Sequence, residues 1–140
     1  MADREFEEAD RETLEIMLSL THRQKKGWLD IEDIQNFPCT CNDLEKINTL
    51  WINYSDSRFG LTAQQWIWID ELGGEAGVYD PDLADKFGDL VGWRVNGKWH
   101  QGIIYSLSAN PAHLPYKINV RGWDIAIPYL AERLKSCNIP

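Results

Sequence analysis

Apolar positions recur at helical spacing from the first residues of the chain. Phe6, Ala9, Thr13, Met17 and Leu20 stand three or four apart, and Leu14 with Leu18 widens the stripe. This pattern predicts an amphipathic helix from Glu5 to about His22. Acids crowd its first turns and Arg23, Lys25 and Lys26 follow its end, both favourable to the helix dipole, with Gly27 as its stop. A short helix from Ile31 to about Asn36 follows and ends at Phe37-Pro38. Asn42 or Asp43 caps the next helix, which runs to about Tyr54 with Leu44, Ile47, Trp51 and Tyr54 on one stripe. Ser55-Asp56-Ser57 reads as a turn and Gly60 as a bend. Thr62 then caps a helix over Ala63–Leu72. Asp80-Pro81 is a helix start, giving a helix from Pro81 to Phe87 that stops at Gly88. Asn96-Gly97 between Val95 and Trp99 has the local signature of a hairpin turn. Asn110-Pro111 and Leu114-Pro115 keep the next segment from forming a long helix. Trp123 to about Ser136 reads as the last helix, with Leu130 and Leu134 on one face. The pattern is that of a single domain spanning 1–140, without repeats or low-complexity linkers.

One stretch departs from this regularity. Leu50–Trp68 carries Trp51, Tyr54, Phe59, Trp66 and Trp68, and Trp66-Ile67-Trp68-Ile69 is apolar around most of a helical turn. A helix of that kind is buried on all sides or presents a face to a partner. Two helices cannot turn so many large rings inward together, so one of Trp66 and Trp68 is expected in the core and the other at a binding surface.

Charge alters the picture next. The net charge is −8. Residues 1–90 hold 20 acids against 8 bases, a balance of −12, and residues 91–140 hold 2 acids against 6 bases, a balance of +4. So acidic a chain is a poor nucleic-acid binder, while its basic rear third suits a small anionic ligand. No apolar run is long enough for a transmembrane helix. The acidic N-terminus resembles neither a secretory signal nor a transit peptide, so a cytoplasmic protein is expected. Peripheral contact with a membrane is compatible with this. The three cysteines, Cys39, Cys41 and Cys137, do not form a zinc set, and reduced structural thiols are expected.

The residues of ordinary catalysis are missing. His22, His100 and His113 do not fall into a recognisable arrangement with a nucleophile, and the chain contains no HExxH, P-loop or GxGxxG. Asp80, Asp82 and Asp85 lack the spacing and glycine of a calcium loop and fit a helix N-terminus instead. Neither catalytic nor metal-ligating residues are therefore expected. Aromatic and apolar residues beside Arg94, Lys98, His113 and Lys117 suit a large, flat, apolar ligand with acidic edges. A Trp-rich core with nothing bound explains the same composition.

A resemblance covers nearly the whole chain. DLEKINTLWINYSDSRFGLTAQ (43–64), Ile67-Trp68, FGDLVGWR (87–94) and His113-Leu114-Pro115, together with ADRETLEIML (9–18), GWLDIEDIQNFPC (27–39) and RLKSCNI (133–139), resemble the "genomes uncoupled four" family of oxygenic phototrophs. The resemblance implies an all-α, multi-helix domain with a concave palm and a long loop near 93–115, without the extra N-terminal helical domain of some members. It implies a non-enzymatic protein of cyanobacterial type. Such a protein binds protoporphyrin IX or Mg-protoporphyrin IX, in some members a bilin. It engages the large subunit of magnesium chelatase in chlorophyll biosynthesis. In that fold Asn96-Gly97 would be a turn inside the long loop. Trp51, Phe59, Leu61, Trp93, Trp99 and Leu114 would then form the apolar surface. Arg94 with Lys98 or Lys117 would meet propionates, and Asn110 or His113 would approach the ring or its metal.

The sequence departs from the family pattern at one place in particular. Where the family usually has Ala-Pro-Arg-Gly-His-Leu-Pro, this chain has Ala109-Asn110-Pro111-Ala112-His113-Leu114-Pro115. A cation and a flexible glycine are lost there. Loss of one desolvated charge-assisted contact costs roughly 1.5–3 kcal/mol, one to two decades of affinity. A paralogue that works as a sensory or interaction module, with a bilin or no pigment, is the alternative. A direct metal chelatase is a third reading, with no acid, base or metal constellation to support it.

Overall fold

Three helices of this chain close in the same way. In the computed structural model, which describes residues 3–39, 42–100, 102–118 and 126–139, α1 (Asp3–Leu20), α5 (Pro81–Val91) and α6 (Ala126–Ser136) each run into a left-handed residue. These are His22 at φ 60°, Gly92 at φ 83° and Asn138 at φ 56°. The next N–H then turns back to a carbonyl five residues earlier: Arg23 to Leu18, Trp93 to Gly88, and Ile139 to Leu134. Each reversal satisfies a carbonyl that the helix end leaves open. The stop of α1 is thus His22, not Gly27. α5 does not stop at Gly88 either; it continues one turn to Gly92. Its start is as read: Asp80 accepts from the N–H groups of Asp82 and Leu83, with Pro81 first in the helix.

Between them lie α2 (Ile31–Gln35), α3 (Asp43–Tyr54) and α4 (Leu61–Trp66), the last continued by a π-helical turn over Ile67–Glu71. Thr62 does not cap this helix. The helix begins at Leu61, and the open N–H of Thr62 is met by Asn48 Oδ1 from α3 at 3.0 Å. Across the Trp66–Ile69 run, the wider turn accommodates consecutive bulky residues. Ile67 and Trp68 go inward and Trp66 is exposed, and the Trp68 indole N–H donates to the Glu75 carbonyl at 3.1 Å. The Asn96-Gly97 signature holds locally. β1 (Arg94–Val95) and β2 (Lys98–Trp99) pair antiparallel, with Arg94 opposite Trp99 and Val95 opposite Lys98, around two left-handed residues. The turn lies inside the long loop, as the family resemblance implies, and carries this short strand pair as well. The domain is otherwise all-α. The first residues expected in the last helix, 123–125, lie outside the described residues.

The core has two parts. The larger gathers Phe6, Met17, Leu29, Ile34, Phe37, Leu44, Trp51, Phe59 and Leu130 from α1, α2, α3, α6 and the loops. The smaller gathers Trp68, Phe87, Val91, Trp93 and Ile127 beneath the hairpin. Tyr116 packs against both. Aromatic edges meet faces through each part: Phe6 stands on Phe59, and Phe87 on Trp93, at 5.5 and 5.4 Å between centroids. Helix α6 packs against α2 and α4. That packing brings Cys137, just beyond α6, onto Cys39 just beyond α2, and the two form a disulfide with Cα atoms 5.3 Å apart. The expectation of reduced thiols is therefore overturned for these two. Their separation of 98 residues hid the pairing. Cys41 lies outside the described residues.

Candidate functional site

The loop 55–60 and the segment 93–115 are built against each other. Ser55 Oγ donates to the Trp51 carbonyl and accepts from Phe59 N–H, which closes the first loop on α3. Asp56 and Ser57 take left-handed conformations within it. Gly60, at φ 129°, passes so close to α3 that a Cβ there would stand 3.0 Å from Ile52 and 3.1 Å from Asn48. Arg58 Nε then donates to the Ala109 carbonyl at 2.7 Å. Ala112 N–H donates to the Arg58 carbonyl at 2.8 Å, and Gly60 N–H to the Leu114 carbonyl at 3.0 Å. Gln64 Nε2 adds bonds to the carbonyls of Ala112 and Pro115. The two segments are thus hydrogen-bonded edge to edge. Ala112, where the family usually has glycine, keeps a left-handed φ of 64°.

This clasp decides where the expected site residues stand. Trp51, Phe59, Leu61, Trp93 and Leu114 are buried in the core. The Trp51 indole donates to Thr13 Oγ1, and the Trp93 indole to the His113 carbonyl at 2.7 Å. Trp99 is half-buried over Gly88, where a Cβ would come within 2.3–2.4 Å of its ring. The glycine that looked like a helix stop is a seat for this indole. His113 is buried with both ring nitrogens engaged. Nδ1 donates to the Val91 carbonyl and Nε2 accepts from Ile104 N–H at 2.9 Å. Burial lowers its pKa, so it stays neutral. Its lone pair is not offered to a ring or metal. Asn110 is exposed and donates to the Leu90 carbonyl. Arg94 reaches Asp89 at 3.0 Å, while its buried Nε is without a partner. Lys117 is half-buried next to Asp10, to which its backbone N–H donates. Lys98 is exposed on the hairpin.

Near these residues stand exposed aliphatic side chains that the sequence reading missed. Leu90, Val95 and Ile104 are exposed and joined through shared neighbours. Leu90 accepts from Asn110, and Ile104 donates to His113. Gly92 lies close to both Asn110 and His113, and Gly102 lies against the Val95 side chain. A Cβ on Gly102 would stand 2.7 Å from Val95 and 3.2 Å from the Gly92 carbonyl, so the chain here is closely packed. Val95 and Lys98 pair across the hairpin and share one of its faces, while Arg94 and Trp99 pair on the other, over Gly88. Exposed aliphatic side chains with Lys98 beside them can hold a flat ligand by its face and an acidic edge by charge. The signal was available: Leu90 precedes a helix end, and Val95 and Ile104 are β-branched residues in a glycine-rich loop.

Behind this segment stands Asp10, fully buried on α1. Its Oδ1 accepts from the N–H groups of Tyr116 and Lys117 at 2.9 and 3.0 Å, and its Oδ2 from the Tyr105 hydroxyl at 3.0 Å. Burial raises its pKa, and these hydrogen bonds and Lys117 pull the other way. The Tyr105 hydroxyl is pushed up by its own burial and by Asp10.

A second hollow, about 390 Å³, lies between α1 and α3. Glu5, Glu8 and Glu12 border it over a floor that includes Ile47, Leu50 and Trp51. It is large enough for part of a flat ligand, but three carboxylates repel a dicarboxylate, so charge favours the hairpin with Lys98. Among the described residues no cluster of His, Cys, Asp or Glu could hold a metal ion, and no helix is long and apolar enough to cross a membrane.

Comparison with known proteins agrees with the fold. The chain superposes on the ligand-free structure of GUN4 from Arabidopsis thaliana with a TM-score of 0.69 at 24% identity, covering 91% of this chain and 86% of that one. The structure of GUN4 from Chlamydomonas reinhardtii gives a TM-score of 0.68 at 26% identity, over 91% of this chain and 81% of that one. The Ycf53-like protein of Synechocystis is 30% identical over 128 residues, 90% of this chain and 52% of the relative. The chloroplastic tetrapyrrole-binding protein of Arabidopsis thaliana is 30% identical over 71 residues, 49% of this chain and 26% of that protein. The chain spans about half the length of the Ycf53 relatives it matches. A family model described as GUN4-like matches residues 1–133. The chain belongs to the GUN4-like family.

Proposed function

We propose that this chain binds a tetrapyrrole on the face of Leu90, Val95 and Ile104 and performs no chemistry on it. The observation that carries this reading is the exposed aliphatic side chains about the hairpin, where Val95 is the cross-strand partner of the exposed Lys98. Protoporphyrin IX and Mg-protoporphyrin IX are the ligands that match an apolar plane with two carboxylates at its edge. The name of the Arabidopsis relative supports the ligand class. The buried aromatics, Trp51, Phe59, Leu61, Trp93 and Leu114, act on the ligand by fixing the clasped loops beneath that face. Trp99 borders it. Asn110 holds Leu90 in place, and His113 holds Ile104. Lys117 serves Asp10 rather than a propionate. In the cytoplasm of a phototroph, such a protein would regulate magnesium chelatase through its large subunit by changing the enzyme's access to porphyrin.

A second reading has its own support. Arg94 already has a carboxylate partner in Asp89, and Pro111 stands where the family usually has a cation. A rigid porphyrin is then held through Lys98 alone, whereas a flexible bilin can bend a propionate toward it. A sensory module that binds a bilin follows from that.

The test uses the seven Trp as reporters. Protoporphyrin, Mg-protoporphyrin and biliverdin are titrated while Trp emission is followed. Saturable quenching by a porphyrin at micromolar levels, weakened about tenfold in Val95→Asp or Ile104→Asp, is the expected result. Quenching by biliverdin alone selects the second reading, and no specific quenching by any of the three refutes both. Asp89→Asn releases Arg94 and is expected to tighten the dicarboxylate but not its dimethyl ester.

A further inference from the structure

The hollow between α1 and α3 has no part in that reading, and its chemistry is specific. Ile16, Leu50 and Tyr54 line it and are 43%, 56% and 60% exposed. The Trp51 indole beneath them is already hydrogen-bonded to Thr13, so the floor makes no polar demand of its own. Every charged residue that lines it is an acid: Glu5, Glu8 and Glu12, in a row along α1 at spacings of three and four. Like charges so spaced weaken a helix. Here they stand beside an open apolar floor.

We propose that this groove docks a basic amphipathic helix of a partner protein. The α1 wall from Glu5 to Ile16 rises about 17 Å at 1.5 Å per residue, which matches about three turns of a partner helix. Such a helix would lay apolar anchors at i, i+3 or i+4, and i+7 over Ile16, Leu50 and Tyr54, with Lys or Arg facing the glutamate row. Charge decides against other occupants. An anionic membrane is repelled by the glutamates, and two copies of the chain joined symmetrically at this face would oppose one acidic row to the other.

The test uses a labelled amphipathic Leu/Lys peptide of about three to four helical turns and the full chain, with binding followed by fluorescence anisotropy. Micromolar binding is expected, weakened about tenfold by Leu50→Ser and by the double variant Glu8→Lys/Glu12→Lys. Both change exposed positions, and far-ultraviolet circular dichroism checks the fold. Porphyrin quenching in these variants is expected to be unchanged, which separates this site from the pigment face. Equal binding of a scrambled, non-amphipathic Leu/Lys peptide would overturn the proposal, since mere charge attraction would then suffice. So would equal affinity in the two variants, or no binding up to a hundred times the expected concentration. A chain that self-associates through this groove, and becomes monomeric in Leu50→Ser, would assign the groove to a second copy and overturn it as well.

Discussion

Asp10 offers the sharpest test of how this fold is held. Replacing it with alanine removes the acceptor of three hydrogen bonds and leaves the N–H groups of Tyr116 and Lys117 and the Tyr105 hydroxyl without it. Each buried donor left unsatisfied costs about 1–3 kcal/mol. Relief from burying a carboxylate offsets part of this, because the raised pKa of Asp10 means that burial outweighs its partners for the charged form. A net loss of about 3 kcal/mol is expected for Asp10→Ala. With an unfolding entropy of about 2.1 cal/mol/K per residue, that is a fall in Tm of roughly 10 °C for a chain of this length. Asp10→Asn should behave differently. Its Oδ1 can accept both backbone N–H groups and its Nδ2 can donate to the Tyr105 hydroxyl oxygen, so the loss should stay within about 1 kcal/mol. The pH dependence has a definite sign. A carboxyl whose folded pKa is raised contributes stability fully below its unfolded value, 3.8, and loses it as the pH rises through the folded value. Stability of the wild type relative to Asp10→Asn should therefore fall as the pH rises through that window. Urea unfolding across this pH range measures it. If Asp10→Asn is as unstable as Asp10→Ala, or if the difference rises with pH, the carboxylate is needed in its charged form and this reasoning is wrong.

Gly88→Ala should displace Trp99, since its Cβ would fall 2.3–2.4 Å from the ring. A loss of about 1–3 kcal/mol, the usual cost of overpacking, should appear in denaturant curves together with a shift in Trp emission; an unchanged spectrum would contradict the seating. Cys137→Ser opens a loop closed across 98 residues and should cost about 2–4 kcal/mol. Reductant should lower the Tm of the wild type and leave the variant's untouched, and a wild-type Tm indifferent to reductant would count against the bridge. His113 and His100 are both held below their usual pKa of 6.5 by burial. The unfolded chain therefore takes up protons that the folded chain refuses, and stability should drop as the pH falls below 6.5. His113→Gln should flatten that slope, and an equally steep slope in the variant would assign the effect elsewhere.

Local chemistry was legible wherever the decisive contacts were also local. Asp80-Pro81 and Asn96-Gly97 fix their own backbone through a cap and a pair of left-handed residues, and both formed as read. Helix ends were less legible. Gly27 and Gly88 look like stops, but a left-handed histidine and the contact with Trp99 decide those positions, and neither follows from neighbours in sequence. The burial of the expected aromatic palm was not legible for a general reason: a ring that packs a core and a ring that faces a ligand give the same pattern in sequence. Arg58, Gln64 and Ala112 join the two loops and bury those rings, so the exposed face is made of smaller aliphatic residues. Asp10 carried a signal in the sequence, a carboxylate four residues after Phe6 and seven before Met17, on the helix stripe that must be buried. Its partners stand about a hundred residues away, as does the mate of Cys39.

That bridge also divides the molecule topologically. The bond between Cys39 and Cys137 closes the chain from 39 to 137 into a covalent ring that contains α3, α4, α5, the hairpin and α6. Helices α1 and α2 stand outside it, on a tail. The ring keeps its connectivity however far it loosens, whereas α1 is held only by non-covalent contacts: Phe6 and Met17 in the core, Thr13 on Trp51, and Asp10 on the 105–117 segment. Helix α1 is thus a detachable strap across a sealed loop. Anything that grips its glutamate row pulls on an element that can leave without breaking the ring.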